Sequence, residues 1–212
     1  MSVETILVQH PVCTDALAQI RDVNTPNALF RQNLERIGTL LIAEATKYLP
    51  TVDGFVETPL TTAPARRIAV QPVVVPILRA GLGFVGPAQE LLPNADIGFI
   101  GMARNEETHQ PEPYVNKLPE SLAGRPVIVI DPMLATGGSL IHTMRLLLER
   151  DAPEPITVVC ALAAPEGIQA LDDAGLSIRL VTAAIDDHLN ENAFIVPGLG
   201  DAGDRIFNTV RE

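Results

Sequence analysis

The sequence predicts an α/β fold with a mainly parallel sheet flanked by helices. Two observations support this prediction. Short apolar runs rich in Val and Ile recur from about residue 68 onward, which is typical of strands buried on both faces. Segments with helical periodicity lie between several of these runs, and such alternation is typical of a parallel sheet. The 212 residues are 47% hydrophobic and 19% charged, a globular composition, and we expect a single domain over residues 1–212.

The individual elements follow from local patterns. Asn24 and Pro26 supply a helix cap and a first-turn proline, and apolar residues then recur every three or four positions from Phe30 to Tyr48, before Pro50. This spacing predicts one long helix, and a weaker helical pattern covers 9–22. The predicted strands are 72–78, 97–103, 126–131, 156–163 and 178–185. The predicted helices between them are 82–92, 139–150 and 166–174.

Two segments interrupt this alternation. Residues 104–121 are polar and contain three prolines, which predicts a long loop of the kind that serves as a lid or binding loop. Pro197–Arg205 is too rich in glycine to lie inside a helix or strand, and apolar residues on both sides indicate that it folds back onto the core. The adjacent Asp186 and Asp187 are interpreted as a solvated turn.

Charge and cysteine content exclude several classes of protein. The 15 Lys and Arg residues against 26 Asp and Glu give a net charge of −11, which disfavours general nucleic-acid binding but permits a small anionic ligand. No signal peptide or bilayer-spanning apolar run is visible, so we expect a cytoplasmic protein without a membrane partner. Cys13 and Cys160 cannot form a disulfide framework or a zinc site, and Cys160 is expected to lie buried in a strand.

The most informative segment covers residues 126–139. An apolar strand leads into Asp131, then into a turn of small residues that contains Gly137 and Gly138, and then into a helix. The glycines allow backbone N–H groups to point inward, and the positive end of the helix favours an anion. Thr136 and Ser139 add hydroxyl donors. The sequence therefore predicts a phosphate site, and because no Lys follows the glycines it is not a Walker loop.

The run Asp131-Pro-Met-Leu-Ala-Thr-Gly-Gly-Ser139 resembles the phosphoribosyl-diphosphate (PRPP) motif of the type I phosphoribosyltransferases. Pro132 in place of a second acid is similar to the uracil phosphoribosyltransferases in particular. Further blocks resemble that family in order: Thr25-Pro26 with Phe30-Arg31, Val56–Pro59, Pro76–Gly83, Arg104–Thr108, Asn116–Pro119, Ala164–Gly167 and Pro197–Arg205. The resemblance implies the type I phosphoribosyltransferase fold, with a small hood formed by the N- and C-terminal segments and a flexible flap at about 104–121.

The resemblance also implies a reaction. Uracil and PRPP would give UMP and diphosphate in pyrimidine salvage, with Mg²⁺ carried by PRPP rather than by a metal site of the protein. Displacement at an anomeric carbon requires alignment and charge neutralisation rather than a nucleophilic side chain, and the sequence has no convincing Ser-His-Asp or Cys-His arrangement. Family members usually form homo-oligomers and some respond to GTP, so the implied partners include a second copy of the chain and a GTP effector.

The family pattern assigns roles to particular residues. Arg79, Arg104 and Asp201 are the implied catalytic residues, because the planar fork of Arg suits diphosphate and Asp201 would touch the sugar-diphosphate or water on its metal. The implied PRPP-binding residues are Arg79, Arg104, Asp131, Pro132, Met133, Leu134, Ala135, Thr136, Gly137, Gly138, Ser139 and Asp201. The implied uracil-binding residues are Ile195, Gly200, Asp201 and Ala202. The chain departs from the family pattern at Ala103, Val115 and Asn208, on the flap and the periphery.

Two other functional classes compete with this interpretation. Gly81–Gly86 and Gly198–Gly203 both match GxGxxG, and the first follows a predicted strand as in NAD-dependent dehydrogenases. However, a long helix precedes that strand, and no βαβ unit follows the second match. The other alternative is a phosphoribosyltransferase-like regulator that binds nucleotide or RNA without turnover. The acidic charge disfavours RNA. Catalysis is favoured by the joint presence of five residues: Arg79, Arg104, Asp131, Thr136 and Asp201.

Overall fold

The structure, a computed structural model, describes residues 3–104 and 111–209, with the side chains of 103–104 and 111–113 outside the description. The larger strands are β1 (Val3–Leu7), β2 (Thr51–Glu57), β3 (Thr62–Ile68), β4 (Val73–Leu78), β6 (Phe99–Arg104), β7 (Pro111–Lys117), β8 (Val127–Ile130), β10 (Ile156–Ala163) and β11 (Ile178–Ile185). Two-residue strands are β5 (Asp96–Ile97), β9 (Met133–Leu134), β12 (His188–Leu189) and β13 (Ile195–Val196). The helices are α1 (Pro11–Arg21), α2 (Asn27–Thr46), α3 (Val85–Leu91), α4 (Gly138–Leu148), α5 (Pro165–Asp173) and α6 (Ala202–Phe207), with a 3₁₀ turn at Ala80–Phe84.

The main sheet has the strand order β1-β11-β10-β8-β4-β6-β7. Its pairings are parallel except for β6 with β7, and β10 is buried along its whole length. This confirms the predicted α/β class with a mainly parallel sheet. Because the strands run in one direction, their carboxyl ends lie along one edge, where open α/β sheets bind ligands.

Apolar helices cover both faces of this sheet. Phe30 and Leu41 of α2 pack with Val159 of β10 on one face, whereas Met144 of α4 packs with Val158 on the other. Neighbouring residues of one strand thus enter opposite cores, as the two-residue strand period requires. This double burial explains why the strands were recognisable as continuous apolar runs.

Several elements differ from the prediction. The strand β1 was not predicted, although it pairs in parallel with β11 at the edge of the sheet. The loop predicted over 104–121 was wrong for Pro111–Lys117, which pairs antiparallel with β6. Prolines are tolerated there because an edge strand leaves one row of backbone groups unpaired. Residues 105–110 of the same segment lie outside the described residues.

The strands β2 and β3 form a separate antiparallel hairpin. Its side chains are mostly exposed: Phe55 retains 74% of its accessible surface and Leu60 at the turn retains 94%. A two-stranded hairpin alone is marginally stable in water, and this one leaves several large apolar side chains exposed. None of the described helices is both long enough and apolar enough to cross a bilayer.

Candidate active site

The phosphate-loop segment connects the centre of the sheet to α4. The strand β8 ends at Ile130, Asp131 and β9 follow, and Gly137 adopts a left-handed φ of +81° immediately before α4 begins. The first N–H groups of a helix have no intrahelical partner, so this turn presents donors toward its concave side. A small cavity of about 100 Å³ opens there. It is lined by Asp131, Met133, Leu134, Ala135, Thr136, Gly137, Gly138, Ser139, Leu140 and Cys160.

The structure brings together nearly all of the predicted PRPP-loop residues. Pro132 is the exception, because it does not line the cavity and its carbonyl accepts hydrogen bonds from Ala161 N–H (2.9 Å) and Leu162 N–H (3.0 Å). Pro132 therefore ties the loop to β10. The buried position predicted for Cys160 is confirmed, Cys13 is also buried, and both thiols are free. Burial raises the pKa of both thiols, which keeps them protonated near neutral pH.

Asp131 occupies the junction between strand and loop. Its N–H donates to the carbonyl of Val159 at 3.1 Å, which holds the residue at the carboxyl edge of the sheet. Burial raises the pKa of its carboxyl to about 7, although a hydrogen bond from Met133 N–H acts in the opposite direction. Asp131 can therefore change protonation state near neutral pH, which is uncommon for an aspartate.

A second cavity, of about 420 Å³, adjoins the first. All four predicted uracil-binding residues line it: Ile195, Gly200, Asp201 and Ala202. Asn192, Ala193 and Phe194 also line this cavity. Sequence analysis did not assign them to the site, because the apolar residues beside the glycine-rich segment were interpreted only as contacts with the core. Asp131, Met133 and Ala135 line both cavities. The phosphate loop and the glycine-rich C-terminal segment therefore form one continuous site.

Arg79 and Asp201 converge beside Gly203. A Cβ atom at Gly203 would lie 3.3 Å from Asp201 Oδ1 and 3.8 Å from Arg79 Nη2. Asp201 also caps α6 by accepting the N–H of Asp204 at 2.9 Å. The Arg79 guanidinium donates to Asp204 (3.1 Å) and Thr209 (3.4 Å) and is half exposed. A bound anion can therefore compete with Asp204 for Arg79.

The other predicted arginine is only partly described. The backbone of Arg104 ends β6 and is paired with Pro111, but its side chain lies outside the described part. No group of three His, Cys, Asp or Glu residues able to hold a metal occurs among the residues that the structure describes. Asp131 and Asp201 are the two carboxylates that line the larger cavity, and carboxylate oxygens suit Mg²⁺ and the water bound to it.

The interpretation of Asp186 and Asp187 as a solvated turn was wrong for Asp186. Its side chain is only 4% exposed and forms a bidentate ion pair with Arg21 at 2.5 and 2.8 Å. The carboxylate also accepts the N–H of Gly198 at 2.9 Å. Asp186 follows β11 at the carboxyl edge of the sheet, and the returning C-terminal segment covers it there.

The fold and the site together define the class of the protein. A parallel sheet, an acid at the end of a central strand and a glycine turn opening a helix are the features of a type I phosphoribosyltransferase. A hypoxanthine-guanine phosphoribosyltransferase from Bacillus anthracis shares the fold, with a TM-score of 0.50 at 15% identity over 76% of this chain and 80% of that one. The AQ2163 protein from Aquifex aeolicus is more similar, with a TM-score of 0.89 at 36% identity over 96% and 97% of the two chains.

Sequence comparison specifies the family within that class. The family model described as uracil phosphoribosyltransferase matches residues 7–209. The uracil phosphoribosyltransferases of Corynebacterium efficiens and Corynebacterium diphtheriae are each 50% identical to this chain, over 95% and 96% of both sequences. The chain belongs to the uracil phosphoribosyltransferase family. Both GxGxxG matches lie within the matched region, and this assignment replaces the dehydrogenase hypothesis.

Proposed function

We propose that the chain transfers the phosphoribosyl group of PRPP to uracil, giving UMP and diphosphate in pyrimidine salvage. The observation that carries the proposal is the continuity of the two cavities through Asp131, Met133 and Ala135. A phosphate site and a base site must adjoin the same ribose if a base is to attack its anomeric carbon. The reaction belongs to the pentosyltransferases.

Each end of the site has a role in this reaction. Thr136–Ser139 bind the 5′-phosphate through backbone N–H groups and hydroxyls, and Asp131 accepts hydrogen bonds from the ribose hydroxyls. Arg79 and Arg104 bind the diphosphate, because the planar guanidinium group of arginine can donate two parallel hydrogen bonds to phosphate oxygens. The segment around Ile195 and Gly200–Ala202 binds the edge of uracil through its backbone.

The chemical step requires no nucleophilic side chain. The bond between uracil N1 and the anomeric carbon forms and N1 releases its proton to water. The bond to diphosphate breaks, and its electron pair leaves on the diphosphate oxygen. Mg²⁺ enters with PRPP as part of the substrate and neutralises charge on the leaving group. The protein contributes alignment of the two reactants and fixed positive charge where negative charge develops.

Further proposals concern assembly, regulation and location. We infer that the chain acts as one domain, with the N- and C-terminal segments forming a hood and residues 104–121 forming a flap over the substrates. Asn27 and Arg31 of α2 donate to the carbonyls of Arg205 and Ile206, which supports the hood. We also propose that the protein is a cytoplasmic homo-oligomer. GTP is an effector of some family members, and we propose it as a candidate effector of this chain, to be tested by adding it to the activity assay.

The function is tested by UMP formation from Mg-PRPP with uracil, cytosine, orotate or hypoxanthine as the base. We expect turnover with uracil, and a loss of ~10²-fold or more in kcat/KM for Arg79→Ala and Asp201→Asn. Arg125→Ala is the matched control, because this arginine pairs with Asp96 near the amino end of the sheet. Binding of PRPP without turnover on any base would favour the regulator, and absence of PRPP binding would contradict the phosphate-loop assignment.

A further inference from the structure

The C-terminal end of α1 is tied to the segment that lines the base cavity. Arg21, the last residue of α1, donates from Nη1 to Asp186 (2.8 Å) and to the carbonyl of Gly198 (2.7 Å), while its Nη2 donates to Asp186. The two charged residues are 165 positions apart in the chain. Their side chains are 24% and 4% exposed, so water competes weakly for these bonds.

The backbone N–H and the carbonyl of Gly198 both form hydrogen bonds with this ion pair. Asp186 accepts its N–H at 2.9 Å and Arg21 donates to its carbonyl at 2.7 Å. Gly198 has a φ of +59°, and a Cβ atom there would lie 2.1 Å from the carbonyl oxygen of Ile195. The backbone at this position is therefore specified by charge-assisted hydrogen bonds and by the absence of a side chain.

A second arginine holds the adjoining residue. Arg205 donates to the carbonyls of Leu199 (2.9 Å), Asp22 (2.7 Å) and Ile20, and it stacks on the ring of Phe30 at 4.4 Å. The segment entering the base cavity is thus attached to α1 at two consecutive residues, Gly198 and Leu199. The next residues, Gly200–Ala202, line the cavity.

We propose that Arg21 and Asp186 are positioning residues that set the affinity for uracil by fixing the backbone of Gly198–Ala202. The inference rests on the proposed function and extends it to residues that line neither cavity. A base bound through backbone groups depends on their exact placement, and small displacements weaken such binding strongly. The phosphate loop is held separately by β8, β10 and α4. The side chain of Asp201, the PRPP-binding residue within the segment, is held by the N–H of Asp204 at the start of α6, so we expect PRPP binding to depend far less on the pair than uracil binding does.

The test compares Arg21→Met and Asp186→Asn with the wild-type chain in steady-state UMP formation. We expect the KM for uracil to rise ~10- to 100-fold, the loss typical of hydrogen bonds to charged groups, while the KM for PRPP changes less than ~3-fold. Arg21→Lys keeps the charge and a donor, and it is expected to recover part of the uracil affinity. Equal increases in both KM values, or an unchanged KM for uracil, would overturn the proposal.

Arg179→Met is the matched control. Arg179 is 19% exposed, close to the 24% of Arg21, and it pairs with Glu4 at the amino-terminal edge of the sheet. Its loss therefore removes an arginine of similar burial and its ion pair far from the base cavity, although Glu4 is itself 54% exposed. We expect both Arg→Met variants to lower the melting temperature, but only Arg21→Met to separate the two KM values. This contrast distinguishes positioning from general stabilisation.

Hydrogen exchange gives a readout independent of activity. Amides of residues 198–202 are expected to exchange faster in Arg21→Met and at the wild-type rate in Arg179→Met. Unaltered exchange in Arg21→Met would overturn the inference even if the wild-type chain is active. A wild-type chain that forms no UMP would instead overturn the proposed function, and with it the link to uracil.

Discussion

At the scale of single residues, Asp131 is a buried carboxyl group with a proposed role in binding the ribose hydroxyls. A carboxylate accepts hydrogen bonds better than a carboxylic acid, so ribose binding favours the ionised form. Burial opposes ionisation and raises the pKa of this group to about 7. The unliganded chain therefore holds Asp131 near the midpoint of its titration at neutral pH.

We expect kcat/KM for PRPP to rise with pH up to about 7 and then to level off. Below that pH the loss approaches tenfold per pH unit, because only the ionised fraction of Asp131 binds ribose productively. The measurement is a pH profile of kcat/KM from pH 5 to 9. PRPP phosphates also titrate near pH 6, so the substrate contributes a pH dependence of its own. Asp131→Asn serves as the reference, because we expect its kcat/KM to be low and to show only the pH dependence of the substrate. Identical profiles for the two chains would contradict this role.

The same pKa affects stability with a definite sign. The pKa in the folded chain lies above the ordinary value of 3.8, so the folded state retains a proton that the unfolded state releases. Asp131 therefore contributes stability in full below about pH 4, and this contribution is lost as pH rises through about 7. We therefore expect the free energy of unfolding of the wild-type chain to fall between about pH 4 and pH 7 through Asp131, and Asp131→Asn should not show this part of the fall.

At the scale of elements, the junction of β8, the glycine turn and α4 forms the proposed phosphate site. Gly137 caps α4 with a φ of +81°, a conformation that costs an L-residue about 1–2 kcal/mol. The turn packs against α5, since a Cβ at Gly137 would lie 3.1 Å from the carbonyl of Gly167. An added methyl group would both strain the turn and shift it from α5.

We expect Gly137→Ala to lower the free energy of unfolding by about 1–2 kcal/mol and to raise the KM for PRPP ~10-fold or more. Gly175→Ala is the matched control, because Gly175 has a φ of +68° with no atom within 4 Å of an added Cβ and lies before β11. The control should lose similar stability while keeping the KM for PRPP. Denaturant unfolding and initial rates provide the two measurements, and equal kinetic effects in both variants would contradict a local role.

The elements also show where sequence analysis succeeds. The bounds of β10 and β11 agree with the predicted 156–163 and 178–185, because central strands buried on both faces carry an unbroken apolar pattern. The hairpin β2–β3 was missed because most of its strand residues are exposed and none is buried, so it has no continuous apolar run. The motifs located Ile195 and Gly200–Ala202 at the larger cavity, but they did not reveal residues 192–194, which line it as well. The burial of Asp186 depends on Arg21, which is remote in sequence, so local patterns did not reveal it.

At the scale of the whole molecule, the exposed hairpin supports the proposed assembly. Phe55, Leu60 and Val52 are 74%, 94% and 53% exposed, on an element that makes its own two-stranded sheet. A chain with a net charge of −11 gains little from electrostatic attraction between copies. Apolar contact through the hairpin is therefore the interaction that we expect to join two copies.

We expect Phe55→Ser to weaken the homo-oligomer, raising its dissociation constant ~10²-fold or more. An aromatic side chain at the centre of an interface commonly contributes about 2 kcal/mol or more to the binding free energy. In an interface with two-fold symmetry the substitution is present on both subunits, so this contribution is lost twice. Light scattering after size exclusion, over a range of protein concentrations, measures the change in mass. Val23→Ser is the control, because Val23 is 87% exposed but lies between α1 and α2. A monomeric wild-type chain, or a Phe55→Ser variant with wild-type mass at every concentration, would contradict assembly through the hairpin.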